Sequence, residues 1–353
     1  MALRAGDLAR RVGGAIGIAA EGVKMAAVVL AAGALAFALG WHEAGGVVIL
    51  CGLAIAAFFR DPERSPVPAC ERLVLSGAAP QLAAFYPSAA GDPMPGDAWP
   101  AFRATVEANV DELRELIERP VQTNEVGRSA SLLGGFLTVA AETRLPLRIF
   151  EIGASAGLNL RWDRYRYESG SWAWGDPYSP LTLHRIFESS TPEPTQLEVV
   201  ERAGCDQAPI DPTTGDGTLT LMSYTWPDQV NRFEQMAGAL RVAALFPAIV
   251  QEADAPSWLE PRLARPPSGV ATVVYHSHVQ QYLGDEGRTR LRAVIEDAGS
   301  RFSTEAPLAW LRLEPENPEG SGRFLVQLTT WPDGRERLLA ESHPHGPPVR
   351  WLA

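Results

Sequence analysis

The stretch Leu147–Leu160, LRIFEIGASAGLNL, constrains the fold of this chain more than any other. Its apolar run Leu147-Arg148-Ile149-Phe150 ends on an acid, Glu151, and small residues follow at once: Gly153, Ala154, Ser155, Ala156 and Gly157. Leu158-Asn159-Leu160 then reads as the start of a helix. A strand that breaks into a small-residue turn and continues as a helix brings backbone N–H groups close to a ligand, because no side chain stands between them. The plainer alternative is a tight strand-to-helix turn with no ligand, since the spacing Glu-x-Gly-x-Ser-x-Gly differs from the dinucleotide fingerprint G-x-G-x-x-G.

The rest of the composition narrows the partners. With 353 residues, 46% of them apolar, the chain can build one large domain or two moderate ones around a substantial core. A net charge of −11 makes it poorly suited to tracking phosphates, so no nucleic-acid partner is expected. Cys51, Cys70 and Cys205 are far apart and form no C-x-x-C, which argues against a disulfide framework and for a reducing, cytoplasmic main domain.

The N-terminus is a different material. Residues 25–41 and 44–59 are uncharged runs of 17 and 16 residues, separated by His42 and Glu43. Each falls just short of the ~20 residues that comfortably span a bilayer. Together they read as a helical hairpin, with Arg4, Arg10, Arg11 and Lys24 before it and Arg60 and Arg64 after it. By the positive-inside tendency both ends face the cytoplasm, giving a membrane-anchored protein whose main domain is cytoplasmic. A buried soluble hairpin, and hence a wholly cytoplasmic protein, is the competing reading, and a re-entrant or interfacial hairpin is another. Ala56–Arg64, AAFFRDPER, resembles the segment after the N-terminal hydrophobic hairpin of bacterial phosphatidylserine decarboxylase proenzymes, over roughly residues 15–68. Gly299-Ser300 and Gly320-Ser321 lack the context of the self-cleavage motif of those enzymes, so no decarboxylase chemistry is expected. A fusion event or a misassigned start accounts for such a segment.

Pro66 and Pro68 mark a linker, which divides the chain into a hydrophobic hairpin and linker at 1–68, a helical cap at 69–145 and an α/β domain at 146–353. Glu71–Tyr86, Trp99–Glu118 and Ser129–Thr143 read as cap helices, Pro87–Pro100 as a loop, and Thr123 as a cap for the last helix. Strands are expected at Arg148–Ile152, Leu197–Gly204, Ala248–Glu252, Val270–His276, Leu308–Glu314, Arg323–Trp331 and Arg337–Ser342. Helices are expected between most of them, notably Gln229–Leu245, Ser257–Ala264 and Asp285–Ala298. Alternating strands and helices argue for a mostly parallel sheet covered on both faces, and Pro332-Asp333-Gly334 for an antiparallel hairpin at the C-terminus. That outline matches the Rossmann-like sheet of class I S-adenosylmethionine (SAM) methyltransferases.

Several residues are candidates for a site. The turn itself offers Glu151, Gly153, Ser155 and Gly157, in a pattern that resembles the first motif of those methyltransferases. Asp206, at the tip of the second candidate strand, can accept hydrogen bonds from both ribose hydroxyls, or simply cap a loop, with Asp211 as a nearby rival. Asp254-Ala255 resembles the pair that binds the adenine amino group, while the alternative is a helix cap near Ser257. Val273–Leu283 resembles the apolar strand, Ser-His-Val and short helix beside the cofactor, which makes His276 and His278 the catalytic candidates, His276 foremost as general base. His276 and His278, like His343 and His345, also form H-x-H pairs, but no acid or Cys cluster accompanies them and no metal is expected; His343 and His345 read as structural. Asn124, Glu125 and Arg128 from the cap, with Arg161 and Asp163 after the turn, are candidates for substrate binding; helix capping and a solvated ion pair are their alternatives.

Arg119–Arg128 (RPVQTNEVGR), Glu151–Tyr167, Trp174–Pro177, Gly204–Pro212, Ser223–Gln229, Tyr275–Leu283 and Ser342–Gly346 together resemble one uncharacterised bacterial family, domain of unknown function 2332, over roughly residues 70–353. The resemblance implies a SAM-methyltransferase-like fold and supplies no reaction. The expectation is therefore a SAM-dependent methyltransferase acting on a small-molecule or lipid-proximal substrate, or else a methyltransferase-like fold kept for binding or regulation. Ser155 in place of a central glycine motivates the second.

Overall fold

The computed structural model describes residues 66–92, 95–119, 121–317, 320 and 322–353. The expected hydrophobic hairpin at 25–59 lies outside the described residues. Among them no helix is long and apolar enough to cross a membrane.

The chain divides into two units, at Phe85 and Asp92 and again between Val121 and Gln122. In the first, helix α1 (Pro66–Leu75) packs on α4 (Val110–Ile117), and the short α2 (Pro80–Ala83) packs on α3 (Pro95–Ala108). Cys70, Leu73, Leu82 and Leu113 are buried there. The expected helix Glu71–Tyr86 is broken at Gly77, which adopts a left-handed conformation. The expected helix Trp99–Glu118 is broken at Asn109, whose backbone is non-helical and whose side-chain amide bonds back to the Thr105 carbonyl at 2.8 Å. Such local side-chain bonding competes with helix continuation.

The second unit is mixed α/β. It contains helix α5 (Arg128–Thr143), strand β1 (Leu147–Ile152), a 3₁₀ segment (Asn159–Arg164) and three short strands, β2 (Arg166–Ser169), β3 (Trp172–Trp174) and β4 (Thr182–His184). Then come β5 (Val199–Asp206), α6 (Gly215–Ser223), α7 (Val230–Leu245), β6 (Ile249–Glu252), α8 (Ala255–Leu263), β7 (Ala271–Ser277) and α9 (Gln280–Gly299). The chain closes with β8 (Leu308–Pro315), β9 (Phe324–Trp331), β10 (Arg335–His343) and β11 (Gly346–Trp351). The large sheet has the order β11-β10-β9-β8-β7-β1-β5-β6. Strands β6, β5, β1, β7 and β8 are parallel, and β9, β10 and β11 continue as an antiparallel meander.

Burial differs along the parallel strands: β5 and β6 are largely half-buried or exposed. Every residue of β7 and β8 is buried, as expected for strands covered on both faces. Val273 and Tyr275 face a cluster with Phe136, Trp162 and Leu311, whereas Val274 faces Phe150, Trp258, Leu291 and Trp310. Helix α5 covers the first face, and α8 and α9 the second. The three-stranded sheet, order β3-β2-β4, packs its Tyr167 and Trp174 against Trp162, which in turn stacks on Phe136 at 4.0 Å.

Glycines set how near α5 lies to the sheet: a Cβ on Gly135 would overlap the Leu311 side chain. Gly135→Ala gains ~1 kcal/mol of helix propensity but overpacks a site that is costlier by ~1–3 kcal/mol. Because Leu311 is fully buried on a central strand and has little room to move, the variant is expected to be about 1–2 kcal/mol less stable by urea unfolding.

Candidate functional site

From β1 the chain moves outward to β5 and β6, then returns to β7 and β8 on the other side of β1. In open α/β sheets ligands bind outside the carboxyl ends of the strands where the order reverses, here between β1 and β7. Two non-glycine residues with left-handed backbones stand there, Ser155 after β1 (φ 54°) and His278 after β7 (φ 58°). Such conformations cost on the order of 1–3 kcal/mol each and persist only where the surroundings over-determine them.

The turn after β1 is tied to the tip of β5. The Ala154 amide donates to the Cys205 carbonyl at 3.0 Å, and the Ser155 amide to Asp206 Oδ2 at 2.8 Å. Asp206 Oδ1 accepts from the Ala208 amide at 2.9 Å and from Gln122 Nε2 at 3.4 Å. The Ser155 Oγ is buried without a hydrogen-bond partner. Glu151 is buried beneath the turn, where desolvation pushes its carboxyl well above the usual range; the Tyr275 hydroxyl, 3.2 Å away, opposes the shift.

Segment 122–128 lies across the same strand ends. Asn124 Oδ1 accepts from the Leu158 amide at 2.9 Å, and Asn159 Nδ2 donates to the Glu125 carbonyl at 3.2 Å. The Glu125 carboxylate accepts from Arg232 and lies 3.1 Å from His345 Nδ1. Arg128 donates to the Pro344 carbonyl at 2.8 Å, the Ser277 carbonyl at 3.3 Å and His278 Nδ1 at 3.0 Å. Burial pushes Glu125 up, but His345, Arg232 and Arg128 outweigh it and the net shift is downward. Burial, aided by the Arg128 guanidinium, pushes the His278 imidazole down to about 4. Asn124, Glu125, Arg128 and His278 thus form one polar network, joined by Gln122, Arg232 and His345. The last three were not read as site residues. Gln122 lies in the run RPVQTNEVGR and His345 in Ser-His-Pro-His-Gly, while Arg232 left no trace in the sequence.

The sequence model of a family described as an uncharacterized protein conserved in bacteria (DUF2332) matches residues 50–351. The chain belongs to that family. The match starts at residue 50 rather than near 70, so AAFFRDPER at 56–64 lies inside the DUF2332 region. No curated protein and no solved structure matches the chain.

Other expected site residues of this DUF2332 protein have different roles. His276 is fully buried, with Nδ1 2.6 Å from Glu314 Oε1 and its ring against Trp310. It alternates with Tyr275 and so lies on the sheet face opposite Glu151. Glu314 also accepts from the Val279 amide at 2.9 Å, so the pair anchors the chain entering α9 rather than offering a base to a substrate. Asp254 caps α8 in an exposed position, accepting from the Ser257 hydroxyl at 2.7 Å and amide at 3.2 Å. Arg161 is buried and donates to the Gly157 and Phe246 carbonyls, both at 2.6 Å, which braces the turn from within. Asp163 pairs with both terminal nitrogens of Arg202 at 2.5 and 2.9 Å, holding the 3₁₀ segment to β5. The turn glycines make room for the protein itself. A Cβ on Gly153 would lie 2.5 Å from Val279 Cγ2, and one on Gly157 2.8 Å from Val250 Cγ2. Thr123 does not cap α5, whose N-cap is Gly127. Among the described residues no group of three or more His, Cys, Asp or Glu is placed to hold a metal ion.

His278 makes stability depend on pH in a defined direction. Its folded pKa, about 4, lies below the ~6.5 of an unfolded histidine, so the unfolded chain binds the extra proton in between. The contribution is complete above pH ~6.5 and is lost as pH falls toward 4, a difference of ~3 kcal/mol at most. His278→Asn, which tolerates the left-handed backbone, is expected to flatten that slope in urea unfolding between pH 7 and 4.5.

Proposed function

We propose that this protein is a SAM-dependent methyltransferase of Rossmann-like build, with the cofactor at the turn after β1. The observation that carries the reading is the Asp206 carboxylate, at the tip of β5, hydrogen-bonded to the Ser155 amide of the turn that leaves β1. An acid at the tip of the strand beside β1, next to a small-residue turn, is the arrangement that grips a ribose in nucleotide-binding α/β sheets. The order β6-β5-β1-β7-β8 with an antiparallel extension is also the class I methyltransferase outline, apart from the meander that replaces its inserted last strand.

The residues present fit the sugar end of such a cofactor. Asp206 sits beside the turn, and the buried Ser155 Oγ has an unused donor and acceptor. They fit the adenine end less well, because Asp254 is exposed and committed to its cap. SAM, when bound, supplies an activated methyl group. The chain's own contribution is to bind and orient, through Asp206, Ser155 and the network at Asn124, Glu125 and Arg128, in keeping with catalysis by positioning.

One observation favours the rival, a ligand-binding protein without turnover. His276 is sealed against Glu314, and His278 has its Nδ1 committed to Arg128, so neither imidazole is placed to remove a proton. Transfer of labelled methyl groups into an extract of small metabolites separates the two. SAM binding without label transfer selects the rival.

Calorimetric titration of the full chain with SAM and with its demethylated product tests the cofactor reading. Saturable heat is expected, and Asp206→Asn should weaken binding by about 10- to 100-fold, as for loss of hydrogen bonds to a charged group. Absence of heat from either ligand overturns the reading. Gly153→Val is a poor probe, because its side chain would collide with Val279 whether or not a ligand binds there.

A further inference from the structure

Three imidazoles stand near the carboxyl ends of the strands, and they differ in what holds them. His276 is sealed from solvent, and the Nδ1 of His278 is taken by Arg128. His345, in the turn between β10 and β11, is placed differently. Its side chain is 60% exposed, while that of Glu125 behind it is only 5% exposed. His345 Nδ1 lies 3.1 Å from Glu125 Oε2, and its Nε2 has no hydrogen-bond partner among the described residues.

The acid sets the tautomer. Burial pushes the Glu125 carboxyl up, and His345, Arg232 and Arg128 together bring it below its usual range. An ionised carboxylate can only accept, so the proton of a neutral His345 ring sits on Nδ1 and the lone pair on Nε2. A buried acid that orients an accessible imidazole is the arrangement of a general base, because the acid also stabilises the imidazolium that forms.

The pair belongs to the site at the turn after β1. Gln122 reaches Asp206 and Asn124 reaches the Leu158 amide. Glu125 follows three residues after Gln122, at most ~10 Å of chain. From the other side, Arg128 holds the Pro344 carbonyl at 2.8 Å, and Gly127 and Gly346 let the two segments touch. The fixed charges here balance: Arg128 and Arg232 face Glu125 and Glu314, and His278 is neutral at pH 7. Such surroundings favour a neutral guest over an ion.

We propose that His345 is the catalytic base of this site, that Glu125 is its positioning residue, and that the substrate is a neutral hydroxyl compound. The substrate O–H bond breaks, an N–H bond forms at Nε2, and the electron pair stays on oxygen. The Nδ1 proton stays on the ring, and Glu125 balances the new charge. Use of that oxygen as the methyl acceptor rests on the function proposed above; the dyad does not.

The test uses the full chain. Long-range ¹H–¹⁵N NMR of the histidine rings should show neutral His345, identified by its absence from His345→Gln, with its proton on Nδ1. Glu125→Gln should abolish that preference. A proton on Nε2 in the wild-type chain overturns the dyad. When labelled SAM meets an extract of small metabolites, the labelled product should resist mild alkali, as ethers do and esters do not. Transfer should fall about 100-fold in His345→Gln. Alkali-labile label, or transfer unchanged in that variant, overturns the base. Diethyl pyrocarbonate needs no variant: transfer should be lost in step with modification of His345, followed by peptide mass spectrometry, and hydroxylamine should restore it. Transfer that survives complete modification of His345 overturns the base as well. The two claims separate cleanly. An Nδ1 proton without label transfer removes the methyltransferase reading alone, and label transfer with an Nε2 proton removes the dyad alone.

Discussion

The Arg128 guanidinium is the contact on which the arrangement at the strand ends depends. It donates to the carbonyls of Ser277 and Pro344 and to the His278 ring, and so ties the start of α5 to the tip of β7 and to the turn between β10 and β11. Burying a guanidinium is costly, and desolvation lowers its pKa, but three acceptors offset that cost where an unpaired charge could not persist. The chain can come this close because Gly127 has no Cβ to strike the His345 carbonyl. With that segment fixed, Gln122 reaches Asp206 and Asn124 reaches the Leu158 amide, so the turn after β1 is held from above as well as by β5.

The strain at Ser155 and His278 follows from the same closure. Ser155 must leave β1 and bring its amide to Asp206 while its carbonyl meets the Ile210 amide at 3.3 Å. His278 must leave β7 with its amide on the Leu313 carbonyl at 2.9 Å and its ring edge-on to Phe324. Each is over-determined from both sides, the condition under which a left-handed non-glycine residue is tolerated. Glycine would relieve both, but it would remove the buried hydroxyl at one position and the acceptor for Arg128 at the other.

The sequence disclosed much of the sheet, because the central strands carry apolar runs, Val273–Tyr275 in β7 and Leu308–Leu311 in β8, even though Thr272, His276, Arg312 and Glu314 are buried in the same strands. It concealed the small sheet, whose strands of three and four residues carry Arg166, Glu168 and Ser169 and are held by packing of Tyr167 and Trp174 onto distant Trp162. It concealed β11 as well, which carries Pro347 and Pro348 and lies at the sheet edge, where a missing donor is tolerated. At the site, the strand, turn and helical start were legible and the reason for the glycines was not. Close approach to a ligand and close approach to Val279 or Val250 leave the same mark on a sequence. Arg232 was silent for a related reason. An arginine in the first turn of an amphipathic helix looks solvated until a carboxylate 107 residues away is folded onto it.

The two committed imidazoles bear on one chemical question. A methyl acceptor that carries its own proton, an alcohol or a protonated amine, needs a group to take that proton. His276 has Glu314 at its Nδ1 and no exposure to solvent, and His278 accepts from Arg128 with its basicity already reduced. Asp206 and Glu151 also stand at the turn, the first committed to the Ser155 and Ala208 amides and the second buried, where desolvation raises its pKa. An ionised carboxylate has no such requirement at neutral pH, since its lone pairs are already free. On the methyltransferase proposal, neither imidazole would serve as that base, and without His345 only acceptors that arrive deprotonated would suit the site, with selectivity from charge and fit rather than from proton transfer.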